Sequence, residues 1–365
     1  MNLQRVFLEH GQSPWLDNLQ RGYLNSGKLQ DLVRHGVRGL TSNPTIFQKA
    51  IQGSSDYDHQ FNELMTAGLS VREAYWEMVL SDIHGALDIF ESVHHDSGGQ
   101  DGFVSVEVDP SLAHDANATL EAARSLHQRI DRSNVMIKIP ATSEGLPAIE
   151  AMIAEGRNVN VTLIFSLERY EQVIDAYING VTQRFNAGLP IAGIASVASF
   201  FISRVDAEVD KQLADIGTDE ALGLQGKTAI SQAKLAYRLF TQKFSTEQWK
   251  ELAEQGASVQ RPLWASTSTK NPSYPDTMYV DELIGPHTVN TLPDVTLEAF
   301  ASHGTVKRSI DTNVDQAEKY WEKVQSLGID LGRVSTQLES EGVSSFISSF
   351  NDLIATLEQK RISFT

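Results

Sequence analysis

The chain has 365 residues, with 30 lysines and arginines against 47 aspartates and glutamates, for a formal net charge of −17. Hydrophobic residues make up 41% and charged residues 21%, the balance of a folded globular protein and not of a disordered one. The absence of cysteine excludes disulfides, thiolate metal sites and a thiol nucleophile, and the acidic excess argues against nucleic acid and anionic membranes as partners.

The opening stretch MNLQRVFLEHGQSPW holds no apolar run suited to a signal peptide. A weak strand follows at 13–19. Stronger β-branched runs then begin in turn: VRGLTSNP at Val37, GFVSVEVDP at Gly102, NVMIKIPAT at Asn134, NVNVTLIFS at Asn158, IASVASFFIS at Ile194, RPLWASTST at Arg261 and HTVNTLP at His287. Amphipathic stretches separate them, and 54–101 reads as two helices. This alternation predicts parallel strands with helical crossovers. Eight βα units fit a (β/α)8 TIM barrel; a doubly wound open sheet is the alternative, but no GxGxxG or GxxxxGK[ST] fingerprint is present. The most apolar segment, 191–202, is about a dozen residues and too short to span a bilayer. The tail 311–365 reads as extra helices on the outside of a single domain, opened by a capping-box pattern from Thr312 to Asp315. A soluble cytoplasmic protein is expected.

Chemistry concentrates on three consecutive strands. In Val135-Met136-Ile137-Lys138-Ile139-Pro140, Lys138 lies on the face opposite Ile137 and Ile139, two residues before the proline that ends the strand. That is the end where barrel enzymes carry their active sites. Burial favours the neutral amine of a lysine, which is a nucleophile toward carbonyls; the alternative is a lysine at the rim or in an ion pair. Ser105, Glu107 and Asp109 oppose Val104, Val106 and Val108, and Asn160 and Thr162 oppose Val159, Val161 and Leu163. The polar faces are expected to converge inside the barrel, bringing Glu107, Lys138, Asn160 and Thr162 together. A structural salt bridge between Glu107 and Lys138 is the competing reading.

Asp17 and Asn43 sit near the ends of the first two strands, where a helix cap or a turn would also explain them. Arg204 opens the helix after the sixth strand, a placement the helix dipole opposes unless an anion is also there. Strand seven ends in Ser266-Thr267-Ser268-Thr269-Lys270, so Arg204, Ser268 and Lys270 make a candidate phosphate site, with solvated surface residues as the alternative. The ten histidines form no metal motif, and His94-His95 reads as a loop pair.

The ordered set Thr41-Ser42-Asn43-Pro44-Thr45, Val104-Ser105-Val106-Glu107-Val108-Asp109-Pro110, Ile137-Lys138-Ile139-Pro140-Ala141-Thr142 and Asn160-Val161-Thr162-Leu163-Ile164-Phe165-Ser166 resembles the motifs of the transaldolases. The resemblance runs from about Asp17 into the C-terminal region and is to the longer bacterial subfamily, without room for the isomerase fused to some members. It implies a (β/α)8 barrel with a Schiff-base lysine on the fourth strand, Lys138, and no metal or organic cofactor. It further implies that Glu107 moves protons through an ordered water positioned by Thr162. Asp17 would take the proton of the C4 hydroxyl, and Asn43 and Asn160 would hydrogen-bond the dihydroxyacetone unit. Ser199 would lie near the donor, and Phe201 matches an aromatic position that separates transfer from lysis. Arg204, Ser268 and Lys270 would hold phosphate, although many relatives carry arginine where Lys270 stands, and lysine lacks arginine's planar fork. The implied partners are small sugar phosphates, with neither nucleic acid nor membrane, and the enzyme is expected as a monomer or homodimer. A fructose 6-phosphate aldolase of the same fold, or a sugar-phosphate-binding barrel without turnover, are the alternatives.

Overall fold

The computed structural model describes residues 2–364. Eight parallel strands close a barrel in chain order: β1 (Gln12–Leu16), β2 (Leu40–Thr41), β3 (Val104–Glu107), β4 (Val135–Pro140), β5 (Val159–Ile164), β6 (Ser196–Phe201), β7 (Arg261–Ala265) and β8 (Thr288–Leu292). The barrel closes because β1 pairs with β8 along its whole length, from Gln12 opposite Thr288 to Leu16 opposite Leu292. All eight expected runs form strands, and the open sheet is excluded.

The alternation in β3, β4 and β5 has the physical meaning expected of a closed parallel sheet. One set of side chains packs against helices and the other fills the interior. Val104, Val106, Ile137, Ile139, Val159 and Val161 are all buried, and so are the polar Ser105, Glu107, Lys138, Asn160 and Thr162. Burying the polar set requires that its members satisfy one another or face a cavity.

Between β2 and β3 run the helix Pro44–Gln52, then Asp58–Thr66 and Val71–Asp96, the last opened by a reciprocal capping box of Ser70 and Glu73. His94 and His95 lie in the final turn of Val71–Asp96 and not in a loop, a correction to the sequence reading. Their position suits the helix dipole, which favours basic groups at a C-terminus.

The tail departs further from expectation. The helix Val314–Ser326 starts after Asn313, which has a left-handed φ of 55° and makes no side-chain cap. Thr312 instead donates its hydroxyl to the Ser309 carbonyl at 2.8 Å, so the expected capping box is absent. The next helix, Leu331–Phe364, does not simply pack on the outside. It runs across the mouth of the barrel. Ser335 donates to the carbonyl of Phe165 beyond β5, Ser349 shares a hydrogen bond with Thr45, and Thr356 accepts from Gln52. Gly342 makes the crossing close: a Cβ there would meet Leu163 Cδ2 at 2.9 Å. Leu163 reaches that position from an irregularity in β5, where the register to β6 shifts and its φ is 61°.

Candidate active site

Register assembles the floor of the site. Glu107 on β3 pairs with Lys138 on β4, which pairs with Asn160 on β5. Three polar side chains on adjacent parallel strands, each on the interior face, therefore stand side by side. Lys138 Nζ lies 3.3 Å from Glu107 Oε2 and donates to the Ser42 carbonyl at 3.2 Å. Asn160 is braced at both ends, donating through Nδ2 to Ser105 Oγ at 3.0 Å and accepting from Ser199 Oγ at 2.7 Å. Thr162 Oγ1 and both carboxylate oxygens of Glu107 are buried without a protein hydrogen-bond partner. Glu107 also borders a void of about 10 Å³ shared with Asn43 and Tyr75, room for about one water at most.

Above this floor opens a cleft of about 400 Å³, within the range of roughly 300–1,000 Å³ usual for small-molecule sites. Asp17, Asn43, Lys138, Thr162, Ser199 and Phe201 line it, as do Arg204, Ser268 and Lys270. Glu107 and Asn160 are the two candidates that do not reach the cleft wall; they act on it through Lys138 and Ser199.

Asp17 follows β1 and accepts from Thr41 Oγ1 at 2.8 Å, and Thr41 shares a further hydrogen bond with Thr291 at 2.7 Å. It caps no helix, since the next one begins after Gln20. Asn43 does cap: its Oδ1 accepts from the backbone N–H of Ile46 at 3.0 Å, which leaves the side-chain NH2 as the group it can offer the cleft. The structural and cleft-facing readings of Asn43 thus coexist.

Burial sets the electrostatics. It pushes the carboxyls of Asp17 and Glu107 upward, opposed in each by the positive charge of Lys138. At the other end of the cleft, burial pushes Arg204 down, and burial together with repulsion from Arg204 and Lys49 pushes Lys270 down. Lys270 donates to Ser268 Oγ at 2.9 Å, and the guanidinium of Arg204 lies 5.2 Å from the centre of the Phe201 ring. The cleft therefore has a reactive end, an amine between two carboxyls, and an anion-attracting end rich in cations and hydroxyls. A profile of the family described as Transaldolase/Fructose-6-phosphate aldolase matches residues 14–357.

The chain belongs to the transaldolase/fructose-6-phosphate aldolase family.

It is 51% identical over 352 residues to the transaldolase of Frankia alni, covering 96% of this chain and 95% of the relative. To transaldolase 1 of Streptomyces coelicolor it is 49% identical over 357 residues, covering 97% and 93%. To the transaldolase of Thermobifida fusca it is 48% identical over 357 residues, covering 97% of both chains. The barrel and its amine-centred cleft are thus those of a transaldolase-family enzyme.

Sequence reasoning missed several cleft residues. Lys49, on the helix Pro44–Gln52, lines the wall with Thr45, one helical turn before it; that i, i+4 spacing was the available signal. Ser266, with a left-handed φ of 57°, and Thr291 also line the cleft. Phe346 and Ser345 come from the helix across the mouth, and Lys138 Nζ lies 5.8 Å from the centre of the Phe346 ring. Nothing in an amphipathic helix two hundred residues downstream marks those two as part of the site.

Proposed function

We propose that this protein is a transaldolase: it moves a three-carbon dihydroxyacetone unit from sedoheptulose 7-phosphate to glyceraldehyde 3-phosphate, yielding erythrose 4-phosphate and fructose 6-phosphate, in the non-oxidative pentose phosphate pathway. The observation that carries this reading is a buried lysine amine at the C-terminal end of a barrel strand, flanked by two carboxyls whose burial favours proton uptake. A ketose, a dihydroxyacetone adduct and an aldehyde acceptor all fit chemistry centred on one amine.

Lys138 Nζ adds to the ketose C2 carbonyl, giving a carbinolamine that loses water to form a protonated imine. Glu107 supplies and recovers the protons of these steps, through a water placed by Thr162, whose hydroxyl has no protein partner. Asp17 takes the proton of the C4 hydroxyl, and the C3–C4 bond breaks. The aldehyde leaves, and the bond electrons are held as an enamine on the lysine adduct. The acceptor aldehyde is then attacked by the enamine carbon, its oxygen recovers the proton from Asp17, and hydrolysis of the new imine frees Lys138. A carboxyl raised by burial suits Asp17 for both halves of that exchange. Asn43 and Ser199 hydrogen-bond the three-carbon unit, with Asn160 holding Ser199 in place, and Arg204, Ser268 and Lys270 hold the phosphate. No metal or organic cofactor enters any step. The enzyme acts in the cytoplasm as a single barrel unit, monomeric or dimeric, without nucleic acid or membrane partners. Among the described residues no helix is long and apolar enough to cross a membrane.

Borohydride reduction in the presence of fructose 6-phosphate, followed by peptide mass mapping, tests the reading. A three-carbon adduct on Lys138 is expected. An adduct on another lysine overturns the assignment of the nucleophile, and no adduct on folded protein overturns the imine. The aldolase reading predicts dihydroxyacetone release from fructose 6-phosphate without acceptor; Phe201, packed between Phe165 and Arg204, places an aromatic ring and not a hydroxyl at that wall.

A further inference from the structure

The chain carries a large acidic excess, and most of its exposed cations are neutralised locally. Arg72 pairs with Asp109, Arg238 with Glu318, and Lys243 with both Glu171 and Asp175. The cleft gathers three that are not. Among the described residues, Lys49, Arg204 and Lys270 line the same cavity and none of them is in ion-pair contact with a carboxylate. Arg204 opens the helix Ser203–Ile216 after β6, and Lys270 lies in the loop after β7, on neighbouring walls. Lys49 comes from the helix after β2, on another side of the mouth.

The local alternative for Lys49 is a basic residue near a helix C-terminus, where it complements the dipole. That accounts for a cation in the last turn but not for the direction of the side chain, since one further along the helix surface would serve equally. The helix is also fixed on both sides of position 49. Thr45 is tied to Ser349 at 2.8 Å and Gln52 to Thr356 at 2.8 Å, both on the helix across the mouth. The ammonium is therefore held over the cleft by a doubly anchored scaffold, facing cations whose repulsion is relieved only when an anion lies among them.

We propose that Lys49 is a third cationic ligand of the phosphate, closing on it from the wall opposite Arg204 and Lys270 and setting the enzyme's preference for phosphorylated over unphosphorylated aldehydes. The proposal rests on the phosphate end assigned above. It also gives a physical account of how a lysine at 270 suffices: the fork that Lys270 lacks is replaced by a second point charge from another direction, so that three separate cations surround the anion. Phosphate binds between walls that the helix across the mouth ties together, which makes position 49 a specificity-determining site and not a participant in bond cleavage.

The test compares Lys49→Met, Lys49→Arg and Lys270→Met in the intact enzyme. Steady-state kinetics are measured with glyceraldehyde 3-phosphate and with unphosphorylated D-glyceraldehyde as acceptors, and inhibition with inorganic phosphate. Lys49→Met is expected to raise KM for glyceraldehyde 3-phosphate and the inhibition constant of phosphate together, by roughly 5-fold. KM for D-glyceraldehyde and kcat should stay within about twofold, and Lys49→Arg should restore both phosphate-dependent values. If Lys49→Met leaves them unchanged while Lys270→Met raises them, Lys49 is no ligand and the phosphate end stands. If neither variant raises them, the phosphate end itself is misassigned. An equal rise in KM for both acceptors overturns the proposal in favour of a role in shaping the mouth.

Discussion

Lys138 Nζ and Glu107 Oε2 stand 3.3 Å apart on the buried floor of the cleft, yet neither oxygen of Glu107 accepts a hydrogen bond from the protein. The contact is an ion pair without the donor geometry that would make it a structural bridge. Burial raises the Glu107 carboxyl, and Lys138 pulls it back down. A carboxyl so balanced can change protonation as its neighbour turns from amine to imine. Glu107→Gln keeps shape and burial but removes this proton exchange. We expect kcat to fall by about 100- to 10,000-fold with KM little changed. Trapping of the Lys138 adduct should slow in parallel. Full activity in this variant would return Glu107 to a structural role.

The ring of Phe201 lies 5.1 Å from that of Phe165 and beneath the guanidinium of Arg204, so it shields the cleft wall from water without offering a proton. Phe201→Tyr places an acid at the same wall. Protonation of the enamine should then compete with capture by the acceptor aldehyde. The expected outcome is a severalfold rise in dihydroxyacetone released from fructose 6-phosphate without acceptor, with a fall in transfer. Unchanged partitioning would remove position 201 from the fate of the enamine.

Asp206 sits two residues beyond Arg204 on the helix Ser203–Ile216, buried, accepting from Tyr279 Oη at 2.8 Å and from the Ala229 N–H at 2.7 Å. Burial pushes its carboxyl from an ordinary 3.8 to about 7. A carboxyl raised in the folded state binds its proton more tightly there. Its contribution to stability is therefore present below the unfolded value near 4 and is lost as pH rises toward 7. Asp206→Asn, which can still accept from the Ala229 N–H and can donate its NH2 to the Tyr279 hydroxyl oxygen, has no such dependence. The difference in stability between variant and parent should grow in the variant's favour from pH 4 to 7 and level off above. Its span is on the order of 4 kcal/mol at roughly 1.4 kcal/mol per pH unit. A difference independent of pH, read from denaturant unfolding, would show that Asp206 does not titrate in this window.

Gly342 brings the helix Leu331–Phe364 down onto the barrel, with a Cβ position only 2.9 Å from Leu163 Cδ2 and 3.7 Å from Arg204 Nη1. Leu163 has little room to yield, because its side chain is fully buried. Gly342→Ala should lift the helix and destabilise the protein by about 1–3 kcal/mol. KM should rise as Phe346 moves off Lys138. Calorimetry and kinetics on the same sample would test both; an unchanged Tm would mean that the helix accommodates the methyl without moving.

The floor of the site was legible because strand alternation is strict. Once β3, β4 and β5 were placed, Glu107, Lys138 and Asn160 had to share the interior, and the register confirms their adjacency. The roof was not legible. Phe346 and Ser345 belong to a helix whose apolar face looks the same whether it packs on the flank or over the mouth, and no local pattern encodes the choice. Thr312 and Asp315 had the spacing of a capping box, but the chain enters that helix through a left-handed Asn313, and Thr312 bonds back to Ser309 instead. Lys49 falls between these cases: its helical spacing from Thr45 was visible, whereas the cations it faces across the cleft follow β6 and β7, far away in sequence.

The helix that roofs the cleft follows all eight strands in the chain. A ribosome therefore delivers Lys138, both neighbouring carboxyls and every strand before it delivers Phe346 and the residues that anchor the helix carrying Lys49. Until that helix arrives, Phe346 and Ser345 are missing from the mouth above Lys138, and the helix carrying Lys49 lacks both of its anchors. The parts that close over the nucleophile are thus the last that synthesis supplies.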